Sequence, residues 1–254
     1  MFENRIKKRI ADGKTAFGGT LPDASDMLAK AVINTGIDFL WIDLEHRPYE
    51  VDAVRWTPIL CRQQGCSAMV RVAGLDSERI KKALDIGANT IMVPQVGTAD
   101  EARRAVQYAK YPPEGTRGIS PLWTQFMDIS WDDYLPQAND ETCVVVQIES
   151  PEGVENLDEI AAVDGVDVVF AGPMDLSATF GHIGQTDHPE VKRFLEEFPK
   201  RVAKAGKAAG VVFATLEECK WAHEVGYRFI AYGNILAAGG AALSSGLGEL
   251  KKLD

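Results

Sequence analysis

Residues 143–175 read CVVVQIESPEGVENLDEIAAVDGVDVVFAGPMD. Two short apolar runs rich in β-branched residues, 143–148 and 167–171, flank a stretch at 153–162 whose apolar spacing is that of a helix. Strands joined through a helix lie parallel, because the crossover returns the chain to the same end of the sheet. Each run leads to an acid: Glu149 directly after Ile148, and Asp175 after the turn Gly172-Pro173-Met174. An acid just past a buried strand adds nothing to packing. Two of them, on neighbouring strands, can converge on one hard cation and leave positions for a substrate.

The same alternation extends in both directions. Strand-like runs lie near 15–21, 39–44, 67–72, 90–96, 143–148, 167–171, 208–213 and 228–232. Helical patterns occupy 23–35, 49–64, 76–86, 98–108, 153–162, 190–205 and 216–225, punctuated by turns such as Asn34-Thr35-Gly36 and Asp85-Ile86-Gly87. Eight strand–helix repeats in 254 residues fit a (β/α)8 TIM barrel. A doubly wound open sheet would have less apolar edge strands, and no GxGxxG fingerprint is present. No linker or low-complexity segment divides the chain, so 1–254 reads as a single domain. One connection breaks the rhythm, between the fourth and fifth strands: 111–142, YPPEGTRGISPLWTQFMDISWDDYLPQANDET. A segment this long and aromatic is a lid or binding loop, or an oligomer contact made through Trp123, Phe126 and Trp131.

Composition narrows the partners. A hydrophobic content of 46% supplies a sizeable core. A net charge of −10 argues against nucleic acid or an anionic membrane, and requires a locally positive site for any anionic substrate. Cys61, Cys66, Cys143 and Cys219 have neither zinc-ribbon nor CxxC spacing and read as reduced structural thiols. MFENRIKKRIADGK at the N-terminus has no apolar signal core and no segment is long enough to span a membrane, so a cytoplasmic protein is expected.

Barrel enzymes carry their chemistry at the C-terminal ends of the strands. Here those ends offer Asp43, Glu45 and His46, then Arg71, then Pro94 and Gln95, then Gln147 and Glu149, then Gly172 to Asp175. Glu149 and Asp175 read as ligands of Mg²⁺ or Mn²⁺; the alternative is that they cap the helices that follow. Arg71 ends an apolar run and needs an anionic partner. Its fork suits a carboxylate or enolate oxygen, or else a structural salt bridge to Glu149 or Asp43. His46 titrates near neutrality and can serve as a general base. The other histidines, His182, His188 and His223, suggest no role. The glycine-rich stretch 226–240 is open to two readings, a phosphate loop or close helix packing. No strand end carries a lysine, which disfavours a Schiff-base route.

Taken together, these residues resemble the HpcH/HpaI aldolase (citrate lyase-like) family of metal-dependent pyruvate aldolases. The resemblance is carried by DFLWIDLEHRPYE at 38–50, ALDIGANTIMVPQVGTADEARRAV at 83–106, YPPEGTRG at 111–118, VVVQIESPEGVENLDEI at 144–160 and GVDVVFAGPMDLSATFG at 165–181. It implies a phosphoenolpyruvate/pyruvate-type barrel and a carbon–carbon lyase. Such an enzyme cleaves or forms a 4-hydroxy-2-oxo acid, giving pyruvate and an aldehyde through a metal-bound pyruvate enolate. It further implies that Glu149 and Asp175 bind Mg²⁺, Mn²⁺ or Co²⁺, with no organic cofactor. His46 would be the base, Asp85 would raise its basicity, and Arg71 would stabilise the enolate. Gln147 and the backbone at Met174 and Asp175 would hold pyruvate. A trimer or a homohexamer with exchanged C-terminal helices is implied, giving 241–253 a role. The alternatives are an acyl-CoA lyase of the citryl- or malyl-CoA type, for which no basic patch is evident, and a non-catalytic binding barrel. The segment ISPLWTQFM at 119–127 departs from the family pattern. Trp123 and Phe126 are therefore expected to help form the aldehyde pocket, from the same or a neighbouring subunit.

Overall fold

In this computed structural model residues 3–253 are described, apart from the side chain of Asn234. Eight strands form: β1 (Ala16–Leu21), β2 (Phe39–Asp43), β3 (Ser67–Arg71), β4 (Thr90–Val93), β5 (Cys143–Ile148), β6 (Val168–Ala171), β7 (Ala208–Phe213) and β8 (Phe229–Asn234). Each pairs in parallel with the next, and β8 pairs with β1, closing a (β/α)8 barrel. The helices are α1 (Arg5–Ala11), α2 (Asp26–Ile33), α3 (Thr57–Gln63), α4 (Ser77–Asp85), α5 (Ala99–Ala109), α6 (Trp131–Tyr134) and α7 (Ala138–Glu141). They continue as α8 (Pro151–Glu155), α9 (Leu157–Ala161), α10 (Pro173–Thr179), α11 (Pro189–Lys204), α12 (Leu216–Val225) and α13 (Ile235–Leu250). None of the described helices is long and apolar enough to cross a membrane.

Strand alternation separates two cores. Phe39, Trp41, Met69, Met92, Val145, Phe170 and Phe229 fill the barrel interior. Their neighbours Leu40, Ile42, Val70, Ile91, Val144, Val146 and Val169 point outward against the helices. Both faces are apolar, which is why the strands read as continuous hydrophobic runs rather than alternating ones. The interior is tight enough to need a glycine: a Cβ on Gly18 would lie 2.3 Å from the Phe39 ring.

The sequence patterns did not reveal α1, which packs beneath the barrel. Asn4 caps it, accepting from Ile6 and Lys7, and its Nδ2 donates to the Asn89 carbonyl at 2.8 Å and to Thr90 Oγ1 at 3.0 Å. Ile6 is fully buried in the interior cluster. The floor of the barrel is thereby shut. At the other end of the chain the stretch 226–240 divides into a C-cap at Gly226, strand β8 and the start of α13, so no separate glycine-rich loop forms between β8 and α13. None of the side chains described on α13 is buried, and Leu236, Leu243, Leu247 and Leu250 are exposed.

The long connection folds into its own small core. Trp123 is 1% exposed and packs with Ile59, Tyr111, Tyr134 and Ala138. The Arg62 guanidinium lies 3.8 Å from its ring, and Arg62 Nε donates to the Gly87 carbonyl. Gly87 precedes β4, at the N-terminal side of the barrel. Trp123 is thus enclosed by its own chain, away from the catalytic rim, and the expectation that it lines an aldehyde pocket fails. Phe126 is different: it is exposed and packs edge-on against Trp56 at 4.7 Å.

Candidate active site

A cavity of about 590 Å³ opens at the C-terminal rim, walled in part by Trp41, Asp43, His46, Arg71, Gln147 and Asp175. Parallel strands deliver these side chains to one end because all eight run the same way. Met174 also lines the cavity and is exposed.

Glu149 lies behind the cavity wall at the end of β5, with 3% of its surface exposed. Its Oε1 accepts from the Gln95 backbone N–H at 3.0 Å, and its Oε2 accepts from the Gln147 side-chain amide. Gln95 adopts φ +56°, a left-handed conformation that costs a non-glycine residue energy and here turns its N–H toward the carboxylate. Gly172 makes room from the other side: a Cβ there would lie 2.5 Å from Glu149 Oε2. Burial, reinforced by the negative charge of Asp175, pushes the Glu149 carboxyl up to about 7 despite the Gln95 N–H. The capping alternative is not what the structure adopts. Ser150 caps α8, and α10 begins at Gly172 with no side-chain cap, leaving Asp175 in its first turn.

The pair fits a hard divalent cation. Both donors are carboxylates, their mutual repulsion is what a cation relieves, and the buried Gln147 Oε1 has no hydrogen-bond partner among the described residues. No third His, Cys, Asp or Glu joins them in a ligand cluster among the described residues, so water and substrate would supply the other positions.

Arg71 ends β3 buried, its guanidinium 5.0 Å from the Trp41 ring. Asp43 grips it at both ends of the fork, Nε–Oδ1 at 2.9 Å and a terminal nitrogen to Oδ2 at 2.8 Å; Glu45 lies 2.9 Å from the remaining nitrogen. The ion pair to Asp43 is therefore real, the one to Glu149 is not, and Arg71 still faces the cavity. Burial opposes ionisation of Asp43, but Arg71 outweighs it and holds the carboxyl below its ordinary value. Glu45 is raised, by burial above all, with Arg71 acting against the rise. Asp43 Oδ1 also accepts from the backbone N–H of Glu45 at 3.1 Å and lies 3.4 Å from that of His46, shaping the turn that presents the histidine. His46 is largely exposed, its Nε2 3.7 Å from Glu45 Oε2.

The expected partnership of Asp85 with His46 is not found. Asp85 is the last residue of α4 and pairs with the buried Arg117 at 2.7 Å. A helix that follows a barrel strand runs back toward the floor, so its C-terminal residue lies at the end opposite His46. Burial raises the Asp85 carboxyl, and Arg117 acts in the opposite direction. Sequence patterns missed three contributors: the Gln95 N–H, Trp41, and Glu45 as a partner of Arg71. Only Glu45, an acid beside a strand-end histidine, had a readable signal.

A family model described as HpcH/HpaI aldolase/citrate lyase matches residues 20–238. The chain is 39% identical to a hydroxypyruvate/pyruvate aldolase of Roseobacter denitrificans, over 90% of each chain. It is also 39% identical to a 4-hydroxy-2-oxo-heptane-1,7-dioate aldolase of Salmonella paratyphi B, covering 99% of this chain and 97% of the relative. Among solved structures, an HpcH/HpaI aldolase from Desulfitobacterium hafniense superposes with a TM-score of 0.88 at 32% identity, over 98% of this chain and 97% of that one.

Proposed function

The chain belongs to the HpcH/HpaI aldolase/citrate lyase family, and from that premise we infer its reaction. It is a carbon–carbon lyase, a class II aldolase that interconverts a 4-hydroxy-2-oxo acid with pyruvate and an aldehyde. One observation supports the site assignment: a buried carboxylate, Glu149, lies just behind the cavity wall and feels the charge of a second, Asp175, on that wall, beside the only arginine that ends a barrel strand among the described residues.

Glu149 and Asp175 would hold the divalent cation, with Mg²⁺ or Mn²⁺ favoured by the all-oxygen donors. When bound, such a cation would hold the oxygens of the 2-oxo acid and spread the negative charge that forms as the carbon–carbon bond breaks. The chain's own residues do the rest. Gln147 and the backbone at Met174 and Asp175 bind the pyruvate half. His46, on the exposed lip, takes the proton from the 4-hydroxyl, so that the C3–C4 bond breaks, the aldehyde leaves and pyruvate enolate remains. Arg71 stabilises that enolate through N–H groups not spent on Asp43 and Glu45, which keep the guanidinium from swinging away. The cavity lining holds no lysine among the described residues, consistent with a route that forms no imine.

Assembly belongs to the same proposal. The unburied apolar side of α13 and a groove of about 460 Å³ between it, β1 and α2 support an oligomer, a trimer or a hexamer, in which C-terminal helices are exchanged. The test of the reaction is pyruvate release from a panel of 4-hydroxy-2-oxo acids. Chelator should abolish it and Mg²⁺, Mn²⁺ or Co²⁺ should restore it; full activity in stripped protein would sink the reading.

A further inference from the structure

A second cluster of metal-binding side chains lies outside the catalytic cavity. His182, His188 and Glu190 place one ligand atom each within 4.8 Å of one another. The segment between α10 and α11 brings them together. His182 N–H donates to the Ser177 carbonyl at 2.7 Å, Gln185 N–H to the His182 carbonyl at 2.9 Å, and His188 N–H to the Gln185 carbonyl at 3.1 Å. These turns fold 181–188 back on itself, so the two imidazoles stack with centroids 3.3 Å apart. His182 Nε2 lies 3.2 Å from Glu190 Oε2. His188 Nδ1 accepts from the Glu190 backbone N–H, so in this tautomer Nδ1 holds the lone pair and Nε2 the proton, and an ion bound to His188 would take the place of that hydrogen bond.

Two imidazoles this close cannot both become imidazolium without repulsion, and each neutral ring keeps one lone pair that a shared cation could take. We propose that His182, His188 and Glu190 form a peripheral site for zinc, or a borderline divalent ion of like preference. Two nitrogens and one carboxylate oxygen are a common zinc set with a fourth position left to water, whereas Mg²⁺ prefers oxygen alone. Donors around a tetrahedral zinc sit about 3.4 Å apart, given bonds of roughly 2.0–2.1 Å. The two rings must turn out of their stack to aim both nitrogens at one ion. The donor chemistry therefore sorts two ions: the all-oxygen pair at the rim takes a hard cation, and this cluster takes zinc. Thr186, inside the same segment, lines the catalytic cavity, so a bound ion would brace part of its wall.

The experiment uses the full chain carrying Glu149→Gln and Asp175→Asn, which removes competing zinc at the rim. Equilibrium dialysis against zinc with excess magnesium should give one zinc per chain, and zinc should raise Tm. Adding His182→Ala, or His188→Asn, which keeps a cap for α11, should weaken zinc at least tenfold and remove the rise in Tm. Cobalt(II) should show ligand-field absorption that the same substitutions abolish. Absence of saturable zinc binding in the parent variant, or binding that survives both substitutions, overturns the proposal.

Discussion

A carboxylate that is buried beside another carboxylate is a poor anion and a good ligand, and Glu149 is in that position. Glu149→Gln or Asp175→Asn should lower both metal affinity and kcat, read from metal titrations of turnover, by about 10²-fold or more in kcat. For Arg71→Lys we expect a loss in kcat of roughly 10²-fold, since the charge stays but the fork that Asp43 and Glu45 hold is gone. A rate within a few-fold of wild type would make Arg71 purely structural. His46→Ala should slow both cleavage and the exchange of pyruvate methyl protons with deuterium. Asp85→Asn should leave the pH–rate profile in place and cost about 3 kcal/mol in urea unfolding, because it strands the buried Arg117. Most of the rim was legible in the sequence, since acids, a histidine and an arginine just past apolar runs have no packing reason to be there. Asp85 does not meet His46 of its own chain, because sequence proximity to a strand does not say which end of the barrel a helix terminus reaches. Gln95 contributes only its backbone, and no residue type announces a left-handed turn at glutamine.

At the scale of elements, strand runs announced themselves because both faces of a barrel strand are buried, and all eight lie where the hydrophobic runs stand. The elements that escaped are short or unsupported by periodicity: α1 with its seven residues, α10 with its seven, the helical turns inside 111–142, and α13, whose small and apolar residues show no helical stripe. That connection looked like a pocket wall since its aromatics are conspicuous, yet Trp123 serves its own small core. Trp123→Ala should cost about 3–5 kcal/mol in denaturant unfolding and leave relative kcat/KM among short and long aldehydes unchanged. A shift in aldehyde preference at constant stability would return the residue to the pocket. Phe126, exposed against Trp56, should respond to Phe126→Ala through assembly if at all, seen as a change in sedimentation rather than in unfolding.

For the whole molecule, the raised Glu149 carboxyl sets a pH dependence in metal-free protein. Its proton is held to about 7 when folded and to about 4.5 in the ordinary case, so the folded state binds more protons across that window. The stability this group confers is complete below about pH 4.5 and is lost as pH rises through 7. Urea midpoints of stripped protein should fall between those values, Glu149→Gln should flatten the fall, and added Mg²⁺ should reverse it at pH 8. The floor closed by α1 carries a kinetic consequence. With one mouth, and with pyruvate bound at Gln147 as proposed, pyruvate would lie inward and the aldehyde outward, beside His46 and Met174, so the two products would leave in sequence. The aldehyde must depart first. In product-inhibition studies of cleavage, pyruvate should then compete with the hydroxy-oxo acid and the aldehyde should be noncompetitive. In synthesis, pyruvate should bind before its partner, as an ordered rather than a random rate law.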